Sequence, residues 1–229
     1  LKRGAFIAFL GPVGVGKTTI IKHLAWRLRQ RGLNTLTISI KSYHGLSYVL
    51  WLFVARAVKA PKNFAPWYSI PTILGLKRVA KVLAILSAYL EVLIHIPLKL
   101  IVVILLRRFG FIIISEEYLS ATLLDYFLSW RDLGVPIRAP LRILCSFSAK
   151  VRPDIVIFLD ANMEAITRRW FIRGYGDPQI RYVVSQKKLL PYILEVFNYN
   201  YVIIDSSALD VRETVRSVEV VSWKVLLGS

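Results

Sequence analysis

Short apolar runs recur along this chain, and most stretches between them space their apolar positions three and four apart. Ala5–Leu10, Thr35–Ile40, Phe111–Ile114, Ile155–Leu159 and Tyr201–Ile204 are rich in β-branched and apolar residues and end at glycine, asparagine, serine or charge. Runs of that kind read as strands buried on both faces. Thr18–Arg31 sets Ile20, Ile21, Leu24 and Leu28 against Lys22, Arg29 and Gln30, and Gly32 stands where such a helix should end. Leu119–Trp130, Glu164–Arg173 and Lys187–Phe197 are also helical in pattern. Strand–helix alternation predicts an α/β fold of three layers, with a five-stranded parallel sheet, right-handed crossovers and helices on both faces. A length of 229 residues suits one such domain, residues 1–229.

Residues 46–109 depart from this pattern and form an expanded apolar helical region. Leu46–Val58 is a mostly apolar helix interrupted by Arg56, and Ala60–Pro71 is rich in proline and aromatics and should be irregular. Leu76–Leu106 is apolar over almost its whole length. On a helix, Lys77, Lys81, Glu91, His95 and Lys99 share an arc of roughly 80°, leaving some three quarters of the circumference apolar. Glu91, His95 and Lys99 stand four apart, where side chains can pair, and Pro97 should kink or divide the helix. Three roles compete: a helix buried in the core or a dimer interface, a surface that docks on a membrane or holds an apolar acceptor, and a membrane-inserted hairpin. Uninterrupted apolar runs fall short of the ~20 residues a span needs, so association is expected rather than insertion.

Gly11-Pro12-Val13-Gly14-Val15-Gly16-Lys17-Thr18 carries the clearest chemistry. It follows a strand and opens a helix, the setting in which glycines let backbone N–H groups curl around phosphates at a helix N-terminus. The motif predicts a bound nucleoside triphosphate, with Lys17 on the β- and γ-phosphates, Thr18 on Mg²⁺, and Thr19 alongside. The strand Phe111–Ile114 delivers Ser115, Glu116 and Glu117 to the same sheet edge. Glu116 is the expected metal-shell carboxylate or base. Arg169 and Arg173, four apart, can turn two guanidinium groups toward one phosphoryl site. They fall in an expected arginine-bearing lid region, residues 161–186.

Composition changes this picture in two respects. The chain is 55% hydrophobic and carries a net charge of +17, and residues 1–90 hold fourteen Lys and Arg but no Asp or Glu. That field fits a solvated basic face or an anionic partner such as a phosphorylated substrate or an acidic lipid surface. Nucleic acid is not expected, because no nucleic-acid-binding motif accompanies the charge. The single cysteine, Cys145, excludes an internal disulfide, reads as a core residue and suits a reducing cytosol. An apolar strand and the phosphate loop begin almost at once, so no secretory signal is expected. The expected location is cytoplasmic with possible membrane association. His23 and His95 lack metal-ligand spacing and read as structural.

Taken in order, the phosphate loop, Ser115-Glu116-Glu117-Tyr118-Leu119-Ser120, Pro153–Asp160 leading into Arg169 and Arg173-Gly174, and Ile203-Ile204-Asp205-Ser206-Ser207 resemble the thymidylate kinases. The resemblance covers roughly residues 5–45 and 110–225. It implies transfer of the γ-phosphoryl group of ATP, with Mg²⁺, to thymidylate or another nucleoside monophosphate, a step of nucleotide biosynthesis. By position it gives Gly11, Val13, Gly14, Val15, Gly16, Lys17, Thr18 and Thr19 to the triphosphate. Thr18 and Glu116 fall to the metal, Arg169 and Arg173 to the lid, and Asp205 to the vicinity of adenine. The acceptor half departs from the family. Val13 replaces the acidic residue usual in the loop, and Glu117 replaces the arginine of the Asp-Arg-Tyr triplet that serves the acceptor phosphate. Lys41, Tyr43, His44 and Gly45 stand where the family has an Arg-Glu-Pro-Gly type element. The family's other acceptor arginine has no clean counterpart, since Arg56 lies too far upstream and spacing puts Tyr89 near its place. Two rival functions follow: a related kinase with a hydrophobic or membrane-borne acceptor, and an ATPase or switch module that engages a partner protein through its apolar helices.

Overall fold

A computed structural model describes residues 4–62, 64–172 and 179–227. The five expected runs form β1 (Phe6–Leu10), β2 (Thr35–Ser39), β3 (Ile112–Glu116), β4 (Ile155–Asp160) and β5 (Tyr201–Asp205). They pair in parallel in the order β2-β3-β1-β4-β5. Alternation along β1 explains the two cores. Phe6, Ala8 and Leu10 join one apolar cluster, while Ile7 and Phe9 join the cluster on the opposite face. Helices α1 (Lys17–Gln30), α8 (Met163–Ile172) and α10 (Val211–Leu227) cover the second face. The first face carries α2 (Leu46–Ala57), α4 (Lys77–Leu90), α5 (Ile96–Arg108), α6 (Leu119–Leu133) and α7 (Arg138–Lys150), with the short α3 (Pro66–Tyr68) between α2 and α4. Helix α9 (Ile180–Val196) straddles both, giving Leu190 and Leu194 to one cluster and Val183 to the other. The three-layer α/β fold is thus the observed one.

Helices α4 and α5 are two halves of one continuous 32-residue helix, Lys77–Arg108. The break expected at Pro97 is taken up by a π-helical turn, Glu91–His95, in which the Ile96 N–H donates to the Glu91 carbonyl. Widening the helix just before a residue with no donor keeps the chain helical where a normal turn would clash with the proline ring. The expected pairing of Glu91, His95 and Lys99 does not form. Glu91 is fully buried and accepts hydrogen bonds from the Tyr43 N–H and from the Tyr126 hydroxyl at 2.6 Å, and Lys99 donates to the Ser39 carbonyl.

The polar arc therefore turns inward at Glu91, and apolar side chains face out. Val82, Leu86, Leu93, Leu98, Ile101 and Leu105 are all exposed, and only 28% of the most apolar 18-residue stretch is buried. By length and composition this helix can cross a membrane. A lone crossing is excluded by topology, since β2 precedes it, β3 follows it, and the two strands pair side by side. Helix α2, at 12 residues, is on the order of 18 Å long and too short to make the return.

Burial raises the Glu91 carboxyl from its usual 4.5 to about 7, and raises Asp125 from 3.8 to about 6, against the hydrogen bonds each accepts. A carboxyl raised in the folded state binds protons that the unfolded chain has released, so stability falls as pH rises from the unfolded toward the folded value. Denaturant titrations should show wild-type stability declining between about pH 4.5 and pH 7. Glu91→Gln should remove the Glu91 part, on the order of 3 kcal/mol between about pH 4.5 and pH 7, and leave the Asp125 part, which ends near pH 6.

Candidate nucleotide and acceptor sites

The phosphate loop is built by close approach at the carboxyl edge of β1. Gly11 has φ +137°, and a Cβ there would lie 2.0 Å from the Leu159 carbonyl oxygen, so only glycine fits against β4. Gly16, at φ +102°, turns the chain into α1. The Val13 N–H donates to Gln186 Oε1 at 2.9 Å, so α9 props the loop from outside. Lys17 is buried at the base, donating to the carbonyls of Gly11 at 2.7 Å and Pro12 at 3.1 Å. Burial pulls its ammonium down, against the pull of Glu117 3.7 Å away.

Glu116 ends β3 beside the loop, and Thr18 Oγ1 donates to its Oε1 at 2.5 Å. These are the two oxygens that the sequence assigns to Mg²⁺. They fit a hard cation, which takes oxygen donors, fills its shell with water and bridges to phosphates. Among the described residues no group of three His, Cys, Asp or Glu side chains could hold a metal by itself. Two protein oxygens suit a cation whose remaining ligands come from water and phosphate.

Glu117 follows in a left-handed backbone conformation, φ 65°, uncommon for a residue with a side chain. The Glu117 N–H donates to the Phe9 carbonyl at 2.9 Å, and the Glu117 carbonyl accepts from the Ser115 hydroxyl at 2.5 Å. These bonds direct a 4%-exposed carboxylate into the site. Lys41, just beyond β2, donates to its Oε1 at 3.1 Å. Burial would raise the Glu117 carboxyl, but Lys41 and Lys17 more than offset it and hold the group below the usual carboxylate range. Burial would likewise lower Lys41, and Glu117 reverses that. The result is a charge cluster, Lys17–Glu117–Lys41, with Lys17 and Glu117 buried and Lys41 half-buried.

Two cavities meet at Gly16. The larger, about 490 Å³, runs from Val13, Lys17 and Thr18 past Glu116 and Glu117 to an aromatic wall. There Tyr43 stacks on Trp67 (5.4 Å, 22°) and Tyr48 meets Trp67 edge-on. Asp125 closes its floor, accepting hydrogen bonds from the Ser42 hydroxyl and from Tyr182 at 2.7 Å. The smaller cavity, about 200 Å³, is lined by Val15, Thr19, Ile20, Arg169 and Ser206 among others.

The structure brings most of the expected residues together. Val13, Gly14, Gly16, Lys17, Thr18 and Glu116 line the larger cavity, and Val15 and Thr19 line the smaller. Arg169 is held in the smaller one, donating to the Val15 carbonyl at 3.1 Å and the Ser206 carbonyl at 2.6 Å. Asp205 lies next to that cavity and anchors the following turn through Ser207. Arg173, Gly174 and Asp177 lie outside the described residues. Neither Arg56 nor Tyr89 lines either cavity. Sequence reading passed over Asp125, Tyr182 and Gln186. A lone carboxylate inside the apolar Leu119–Leu128 stretch was the available signal for the first, and the i,i+4 spacing of Tyr182 and Gln186 for the others.

No family model matches the chain, and no curated protein matches it in sequence. Solved structures do. The thymidylate kinase of Candida albicans superposes with a TM-score of 0.64 at 18% identity, over 98% of this chain and 93% of that one. The likeness is one of fold, and it runs through nearly the whole chain. That enzyme's structure is described as revealing the origin of a broad substrate specificity and a novel structural element.

Proposed function

We propose that this protein is a P-loop phosphotransferase of the nucleotide-kinase type, moving the γ-phosphoryl group of ATP to a small acceptor. One observation carries the reading: two separate cavities, one small beside Arg169 and Ser206, one large and aromatic, meet at Gly16 within a phosphate loop. A purine in the first and an acceptor in the second would bring their reacting ends together over Lys17 and Thr18. Catalysis of this kind rests on positioning and charge neutralisation rather than covalent chemistry. Loop N–H groups and Lys17 would grip the β- and γ-phosphates. Thr18 and Glu116 would hold Mg²⁺, which when bound neutralises phosphate charge. Arg169, already tied to the loop carbonyl at Val15, braces the donor side. Thymidylate, the acceptor implied by resemblance, would meet a carboxylate at Glu117 instead of an arginine.

Incubation with Mg·ATP should yield ADP only when an acceptor from a panel of nucleosides and nucleoside monophosphates is present. Lys17→Ala should lower that rate at least ~100-fold, the scale of losing a principal phosphate contact. ADP formed equally fast without any acceptor would instead support the ATPase or switch function.

A second feature bears on where the enzyme works. The outward apolar face of Lys77–Arg108 is bracketed by Lys77, Arg78 and Lys81 at one end and Arg108 at the other, while Arg107 is paired with Asp154. An apolar strip with cationic ends matches an anionic bilayer surface, into whose headgroup region such a helix lies flat. The protein should float with vesicles containing anionic lipid at low salt and release at high salt. A stable dimer that stays unbound to vesicles would assign the face to a second copy of the chain.

A further inference from the structure

We propose that the acceptor presents an uncharged hydroxyl to the γ-phosphate, on a flat, ring-bearing body such as a nucleoside, and that Glu117 holds this hydroxyl. The inference rests on the phosphotransferase reading and names its acceptor. It starts from an unfilled valence. Glu117 Oε1 takes both cations, Lys41 and Lys17, while Oε2 is buried and has no hydrogen-bond partner among the described residues. A buried carboxylate oxygen left unpaired is unfavourable, so a ligand that donates to it is favoured. Glu117 lines the larger cavity next to Lys17 and Thr18, at the place where an acceptor's reacting end must come. A hydroxyl there both donates to Oε2 and offers its oxygen to phosphorus.

A phosphomonoester does the opposite, adding negative charge beside an anionic oxygen. The lining has little to offset it. No arginine is among the described residues around this cavity. Lys17 serves the donor phosphates and Lys41 is paired with Glu117, which leaves the exposed Lys62. Of the other two carboxylates lining the cavity, Glu116 is engaged by Thr18 and Asp125 by Ser42 and Tyr182, which leaves Glu117 for the ligand. Tyr43 stacked on Trp67, with Tyr48 and Phe64 nearby, favours a planar body, and about 490 Å³ admits one.

The step balances without further reagents. The acceptor oxygen bonds to the γ-phosphorus, the bond from that phosphorus to the β–γ bridging oxygen breaks, ADP leaves, and the hydroxyl proton passes to Glu117. Because phosphoryl transfer runs through a loose transition state, the carboxylate acts chiefly by orienting the hydroxyl.

Matched pairs test this, since a nucleoside and its 5′-monophosphate differ only at the reacting end. Binding of the common nucleosides and their monophosphates is titrated calorimetrically to the full chain carrying Mg²⁺ and a non-hydrolysable ATP analogue. At least one nucleoside should bind 10-fold or more tighter than its monophosphate and be phosphorylated when ATP replaces the analogue. Glu117→Gln, checked for folding by thermal melting, should gain ~10-fold in affinity for that monophosphate and lose ~10-fold in kcat for the nucleoside. Should the variant fail to fold, the wild-type pairs decide alone. Monophosphates binding tighter in every pair, or no nucleoside binding, overturns the proposal. Phosphorylated monophosphates would leave the kinase function intact, whereas failure of the ATP analogue to bind removes both.

Discussion

A carboxylate buried to 4% exposure has to be compensated, and most of the candidate site is arranged around that requirement at Glu117. Its cations come from two different elements, Lys41 beyond β2 and Lys17 in the phosphate loop, while Phe9 of β1 fixes its backbone. One side chain thus ties the second strand, the loop and the third strand together at the carboxyl edge of the sheet. Removing one member of such a cluster typically costs about 3–5 kcal/mol, because the others stay buried and uncompensated. The same cluster sets the character of the larger cavity. It spends two lysines on a protein carboxylate in the place where a phosphate-binding site would keep them for its ligand.

The apolar helix works by a related logic on a larger scale. Its central polar groups are turned inward, since Glu91 receives Tyr43 and Tyr126, and Lys99 reaches the end of β2. Tyr43 in turn stacks on Trp67 and donates toward or accepts from Ser129 at 2.7 Å, so the buried polar contacts of the helix hold the aromatic wall of the cavity. The long helix thus reaches the larger cavity through Glu91, which holds Tyr43 in the cavity lining.

Much of this was legible in the sequence, for physical reasons. Strands buried on both faces show as continuous apolar runs, and a phosphate loop needs glycines where backbone crowds β4, as at Gly11. Glu116 and Glu117 were legible because a strand end delivers consecutive residues to one edge. The long helix misled. A polar arc on an apolar helix ordinarily faces water, yet here Glu91 is buried by partners over thirty residues away in sequence, which periodicity cannot register. Pro97 was read as kinking or dividing the helix, and the helix does divide there, by a π turn that leaves no mark in composition. The cavity floor was hidden for the same reason as Glu91: Ser42, Asp125 and Tyr182 converge from three distant segments.

The division of labour between the two cavities is tested most directly by a crystal structure with Mg²⁺ and a non-hydrolysable ATP analogue. The purine should lie in the small cavity against Arg169 and Ser206, with the γ-phosphate over Lys17 and the aromatic cavity left open beyond Glu117. A purine stacked on Tyr43 and Trp67, with its triphosphate running back toward the loop, would contradict that division and remove the acceptor site.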